Sequence, residues 1–412
     1  MKISSNRFYN RHHISLTAFF IITCCVFFVG SFRFISNAFS IGSLPSYLLL
    51  LLLVITLAIL TLPRLFYGRI PQVLLPEAVV YFLWILWAFA GLHPMAEAGA
   101  LARNIGLSYL SFIAGLLLVY KSGSNYLISI SLALMGLFLI FLFLVSGGFS
   151  NTTEIADSRL GEEIGNANQW AYALFIAFVG SFRLVLFSPN SKVLSQFWVV
   201  LTVVLLVALI LTGSRKAVLG AIFIVFWAII FVFRVRISAS SVVGGSICVG
   251  LISGLFFTNV ISDAFLWDRF SETESIEALI IREQERLSHY WQLIDVVLTR
   301  PIAGVGLGGW EHISLIGKSS HSEYVSILGE TGILGGLLYF SLLVFPAVRL
   351  ISDYFRPMLR AERGLPSKQR EKMFFLGILL ALCLMAFGRW NYTTPIHFLL
   401  LGGITAYSKI RF

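Results

Sequence analysis

Apolar runs long enough to cross a lipid bilayer recur from one end of this 412-residue sequence to the other. A hydrocarbon core about 30 Å thick takes roughly 20 consecutive apolar residues in a helix that rises about 1.5 Å per residue. Spans are read near 14–32, 44–62, 74–92, 103–120, 126–147, 168–187, 195–212, 216–233, 241–261, 325–348, 373–388 and 394–408. With 58% hydrophobic and 12% charged residues, a soluble protein of two or three domains is excluded, because it could not tolerate so many uninterrupted runs. The expected fold is an all-α polytopic membrane protein of about twelve transmembrane helices, residues 1–412 forming a single integral membrane domain. The first span does not read as a cleaved signal peptide: its apolar run is long, and Ser31-Phe32-Arg33-Phe34 lacks a small-residue cleavage site.

The cations orient the chain, since cytoplasmic loops concentrate Lys and Arg. With Lys2, Arg7 and Arg11 inside, alternate loops carry Arg64 and Arg69, Lys121, Arg183 and Lys192, Arg234 and Arg236, and Lys409 and Arg411. The loop at 349–372 adds Arg349, Arg356, Arg360, Arg363, Lys368, Arg370 and Lys372. Both termini are therefore expected in the cytoplasm, and the number of spans is even. The net charge of +10 reflects topology and contact with anionic lipid. Nucleic-acid binding explains it poorly, because the cations are dispersed among membrane loops. Cys24, Cys25, Cys248 and Cys383 all fall within expected spans and read as buried free thiols, with no Cys/His cluster for a metal.

Two external segments break the pattern of short loops: 146–168, and 262–323, the longest stretch outside the membrane. In the second, residues 275–299 read as an amphipathic helix. Leu287, Trp291, Ile294 and Leu298 fall on one stripe, and Arg282, Arg286 and Tyr290 share a neighbouring face. Arg300-Pro301 ends it, and the turn Gly304-Val-Gly306-Leu-Gly308-Gly309 follows. That turn matches GxGxxG, but a helix and a proline precede it where a dinucleotide site needs a strand. A tight turn folding the loop back onto the bilayer is the better reading.

Arg215 follows Thr212-Gly213-Ser214 at the external start of a span, where an arginine either snorkels to headgroups or holds a phosphate in its planar fork. Arg269, Arg282 and Arg286 extend the cation supply on that side. They lie among Glu272, Glu274, Glu277, Glu283 and Glu285, and Arg282 is the one best explained as a plain ion pair. His321 sits at the membrane surface. Its imidazole is either a structural hydrogen-bonding group or a base for a sugar hydroxyl near pH 7. His321-Ser322-Glu323 has the HxE of zinc deaminases without their cysteine pair, so no metal site is read. Gly332 and Gly336 have the spacing that packs two helices closely, within the chain or between chains.

Three segments together resemble the bacterial O-antigen ligase and O-antigen polymerase superfamily. They are Thr212-Gly213-Ser214-Arg215-Lys216-Ala217; Arg286 and Trp291 with Pro301-Ile-Ala-Gly304-Val-Gly306; and His321-Ser-Glu-Tyr324 through Leu328-Gly-Glu330-Thr-Gly332-Ile-Leu-Gly335. Gly165-Asn-Ala-Asn168-Gln-Trp-Ala171 adds a weaker match, so that the ligase/polymerase-like region covers about 165–340. Ser322 departs from the pattern, standing where Asn is common.

The resemblance implies a glycosyltransferase at the periplasmic face of the bacterial inner membrane. It would move a glycan from undecaprenyl diphosphate to a hydroxyl acceptor, inverting the anomeric carbon without metal, cofactor or nucleotide. His321 would be catalytic, and Arg215, Arg286 and Arg269 would bind the diphosphate, with Glu323, Tyr324 and Trp291 supporting them. The absence of Asp and Glu from residues 33–43, the first external loop, agrees with arginine rather than a divalent ion as the counter-charge. Lipid A–core is the favoured acceptor, making a ligase. The alternative is an O-antigen or exopolysaccharide polymerase that joins lipid-linked repeat units. A lipid-linked glycan transporter is less favoured, because the spans show no paired interruptions and are nearly free of mid-membrane charges.

Overall fold

The structure, a computed structural model, describes residues 75–94, 96–122, 125–145, 167–187, 192–212, 214–233, 276–315, 320, 322–358, 367–387 and 392–410. The spans expected at 14–32, 44–62 and 241–261 lie outside the described residues. Among the described residues there are eleven helices and no strand. They are α1 (Leu75–Ala90), α2 (Ala98–Ser122), α3 (Tyr126–Val145), α4 (Ala167–Phe187), α5 (Lys192–Leu211), α6 (Arg215–Trp227), α7 (Ile276–Thr299), α8 (Trp310–Ile313), α9 (Glu323–Met358), α10 (Ser367–Ala386) and α11 (Pro395–Lys409). A π-helical turn, Ala228–Val232, closes α6.

Four of the described helices are long and apolar enough to cross a membrane: Gly99–Val119, Asn168–Phe187, Lys192–Leu211 and Glu323–Phe355. Pro76–Ala90, Tyr126–Leu142 and Lys216–Val232 are apolar but shorter. The apolar surface separates the outer helices from the inner ones. On α5, Val199, Val200, Val203 and Val204 are exposed, as a lipid-facing helix requires, whereas α11 is buried from Ile396 to Ser408. α11 packs against α2 through small residues. A side-chain carbon at Gly115 would strike the Leu399 carbonyl, and one at Gly402 would strike the Phe112 carbonyl. Where lipid offers no hydrophobic drive, such backbone proximity is what holds helices together.

One end of the bundle is bound by ion pairs. Glu77 of α1, 1% exposed, receives both Arg349 of α9 and Lys409 of α11. Arg183 Nε of α4 donates to Glu371 of α10 at 2.8 Å, and Tyr407 donates to the same carboxylate. Lys372 reaches Asp353 and, at 2.9 Å, the Ile410 carbonyl. These are among the cations that the charge pattern assigns to the cytoplasm.

The span expected at 325–348 is revised. α9 breaks at Gly332, whose φ of 68° and ψ of −172° are non-helical. The arm 323–331 folds back along the arm that follows: Tyr324 stacks on Phe340 at 5.4 Å, and Tyr339 donates to the Glu323 carboxylate. Sixteen residues of continuous helix would separate these partners by about 24 Å, so α9 is a hairpin whose membrane-crossing length lies in its second arm. Gly332 is therefore a hinge rather than a helix-packing position, because a side chain there would strike the Ile302 carbonyl.

Candidate functional site

Breaking a helix frees backbone groups that must find other partners. At the α9 hinge they find the glycine turn. Val305 N–H donates to the Gly329 carbonyl at 2.8 Å, Gly306 N–H to Glu330 at 2.9 Å, and Ile333 N–H to Pro301 at 2.8 Å. Trp87 Nε1 of α1 takes the Thr331 carbonyl at 2.9 Å. The turn needs positive φ at Gly304, Gly306 and Gly308 (65°, 96° and 74°), a region that other residues enter only under strain. Its far side binds the α1–α2 connection, with Leu307 N–H on Gly91 and His93 N–H on Leu307, each at 3.0 Å. The expected tight turn is present, and what it grips is protein: the hinge of α9 on one side and residues 91–93 on the other.

A buried carboxylate completes this joint. Glu330 Oε2 accepts from Gly308 N–H at 3.1 Å and from the Tyr392 hydroxyl at 3.2 Å. Burial, and then the nearby carboxylate, push the Tyr392 phenol well above its ordinary range, so it stays a donor. Trp310 fills the space beneath, against Val296, Val305 and Val325. Its indole donates to His289 Nδ1 at 3.3 Å, and an indole only donates, so neutral His289 carries its proton on Nε2.

The residues flanking His321 are tied down as tightly. The single proton of the Ser320 hydroxyl goes to the Ser322 carbonyl at 2.9 Å, so Ser326 donates into Ser320 Oγ, also at 2.9 Å. Ser322 Oγ lies 3.1 Å from the Tyr290 hydroxyl of α7. Tyr290 in turn makes a long 3.4 Å contact to the Phe387 carbonyl, which only accepts, so Ser322 donates to Tyr290. Tyr324 donates to the Cys383 carbonyl at 2.8 Å. The C-terminal end of α10 thus receives both α7 and the returning arm of α9. It also meets α6, where Gly220 packs on Met385.

The expected site residues fall into three groups. His321 and Arg269 lie outside the described residues. Arg215 is the first residue of α6, and Arg282 and Arg286 lie two turns and one turn before Tyr290 on α7; only their helical positions are described. Glu323 and Tyr324 are held on Tyr339 and Cys383, inside the hairpin. Trp291, 69% exposed, sits on the apolar stripe, away from the Tyr290 contact to Ser322. The order along α10 sets the depth: from Lys372 to Phe387 the helix rises about 22 Å, which puts the Tyr290–Ser322 contact at the end opposite the ion pairs.

Sequence reasoning did not foresee the joint formed by Glu330, Tyr392 and His289. Glu330 and Gly332 stand in the quoted motif, but nothing in their spacing says that the chain reverses there. Tyr392 carries no local signal at all.

No curated protein matches the chain. Residues 200–340, from the middle of α5 to the second arm of α9, match the family model described as O-antigen ligase. The hinge, the glycine turn, and the Tyr290 link between α7 and the segment carrying His321 all lie within that match, so it is this stretch of the chain that is similar to the O-antigen ligases.

Proposed function

We propose that the chain is a periplasmic-face glycosyltransferase of the bacterial inner membrane. It transfers a glycan from undecaprenyl diphosphate to a hydroxyl of lipid A–core. One observation supports this reading: Tyr290 of α7 contacts Ser322, the residue next to His321 in the chain, and positions 286 and 282 precede Tyr290 by one and two helical turns. Position 215 opens α6, beside the same end of α10.

In the proposed reaction the acceptor hydroxyl attacks the anomeric carbon from the face opposite the diphosphate. A new C–O bond forms as the bond to the leaving phosphate oxygen breaks, and the configuration inverts. His321 takes the hydroxyl proton, a role worth on the order of 10²–10⁴-fold. Arg215 and Arg286, with Arg269, take up the negative charge that gathers on the departing diphosphate. Preorganised cations in a partly dehydrated recess are worth several kcal/mol of barrier. Glu323 and Tyr324 support the arm, because their polar atoms are engaged by Tyr339 and Cys383.

His321→Ala is expected to abolish transfer while donor binding survives, measured with purified protein and lipid-linked donor in detergent. Retained turnover would remove His321 as the base. Coupling of donor to acceptor in detergent, without vesicles, also excludes transport as the primary activity. Arg215→Lys keeps the charge and loses the bidentate fork, so a severe defect is expected; wild-type rates would favour simple anchoring to headgroups.

The second reading, a polymerase of O-antigen or exopolysaccharide, shares the same family match. A deletion strain separates the two. Long lipid-linked chains with bare core mean a ligase, and single lipid-linked repeat units mean a polymerase.

A further inference from the structure

We infer that α7 lies in the membrane leaflet on the glycine-turn side, its exposed apolar stripe covered by lipid acyl chains. The inference rests on surface geometry and is independent of the catalytic reading.

α7 has four distinct sides. His289 and Val296 are buried against the Trp310 cluster, and Tyr290 faces Ser322. Opposite the buried side, Leu287, Trp291, Ile294 and Leu298 are 55%, 69%, 47% and 75% exposed. Gln284, Asp295 and Thr299, also exposed, form a polar flank beside that stripe. Four large apolar side chains left in water on one stripe would carry a heavy cost.

The occupant follows from what the stripe joins. Near its N-terminal half, Tyr290 touches the Phe387 carbonyl, and Phe387 and Leu384 stand exposed on the outer surface of α10. Beyond its C-terminal end, exposed Ile302 follows Pro301, whose carbonyl receives Ile333 N–H; Ile333, Leu334 and Leu337 are exposed on α9. The stripe is continuous at both ends with the apolar belt of spanning helices. A protein partner would have to straddle that belt, whereas acyl chains already cover it. An apolar stripe with a tryptophan, bordered by a polar flank, is the pattern of a helix lying about 5–10 Å into the headgroup boundary.

Spin labels test this in the full chain, with Cys24, Cys25, Cys248 and Cys383 replaced by alanine, in vesicles of phosphatidylethanolamine and phosphatidylglycerol. Labels at Leu287→Cys, Trp291→Cys, Ile294→Cys and Leu298→Cys are expected to collide several-fold more with oxygen than with a polar nickel chelate. Gln284→Cys and Asp295→Cys should reverse that order. Preference for the nickel chelate along the stripe overturns the inference. So does protection from both probes, which would mean that a second copy or another segment of the chain covers it. If the cysteine-free chain does not fold, p-benzoylphenylalanine at 291 and 298 in the otherwise native chain answers the same question. Irradiation is then expected to yield phospholipid adducts by mass spectrometry, and protein cross-links without lipid adducts overturn the inference.

Discussion

At the lysine- and arginine-rich end of the bundle, carboxylates are answered by cations: buried Glu77 by Arg349 and Lys409, buried Glu371 by Arg183, and half-buried Asp353 by Lys372. At the glycine-turn end, Glu330 is answered by a backbone amide and a phenol, and Glu323 accepts a phenol. The first end joins helices chiefly by side-chain ion pairs. The second joins helices by backbone conformation, and moving one element displaces all of them. The end proposed to hold the reacting groups has the second kind of joint, which is what register demands.

The largest effect is expected at the hinge. Gly332→Val adds about 1–3 kcal/mol of backbone strain from positive φ alone. It also forces the Ile302 carbonyl aside, so the hairpin should not close. Loss of extractable folded protein, or lost protection of residues 301–310 from hydrogen exchange, is the expected result; a native exchange pattern would show that the hinge is not rigid. At the other end, Arg183→Ala strands a buried carboxylate and should cost about 3–5 kcal/mol in thermal or denaturant unfolding. The paired change Arg183→Leu with Glu371→Leu should cost much less, and an equal loss in both variants would mean that packing, not charge, joins α4 to α10. The smallest effect belongs to Tyr290→Phe. It removes one hydroxyl from a half-buried contact, about 0.5–1.5 kcal/mol of stability. If α7 and the His321 segment must stay in register, this variant should lose transfer activity out of proportion to that figure. Unchanged transfer would separate the contact from the chemistry.

Helix positions were legible from hydropathy because a membrane span must satisfy its backbone internally, which leaves one long apolar run as its mark. The expected segments at 74–92, 126–147, 168–187, 195–212 and 275–299 match α1, α3, α4, α5 and α7 to within a few residues. The charge pattern also anticipated one cation-rich end, where Arg183, Arg349, Lys372 and Lys409 gather. The hairpin in α9 was not legible. An apolar run reads alike whether it crosses once or turns back, and a glycine within it is also the mark of close helix packing.

Chain composition and order alone determined that this is a helical membrane protein, where several of its apolar helices run, and which stretch resembles the O-antigen ligases. Local periodicity and residue type carry that information. The tertiary structure alone decided that Gly332 reverses the chain, that Glu330 and Tyr392 lock the glycine turn, and that Tyr290 of α7 meets Ser322. The first is a backbone conformation and the others join residues far apart in sequence, so no local pattern announces them.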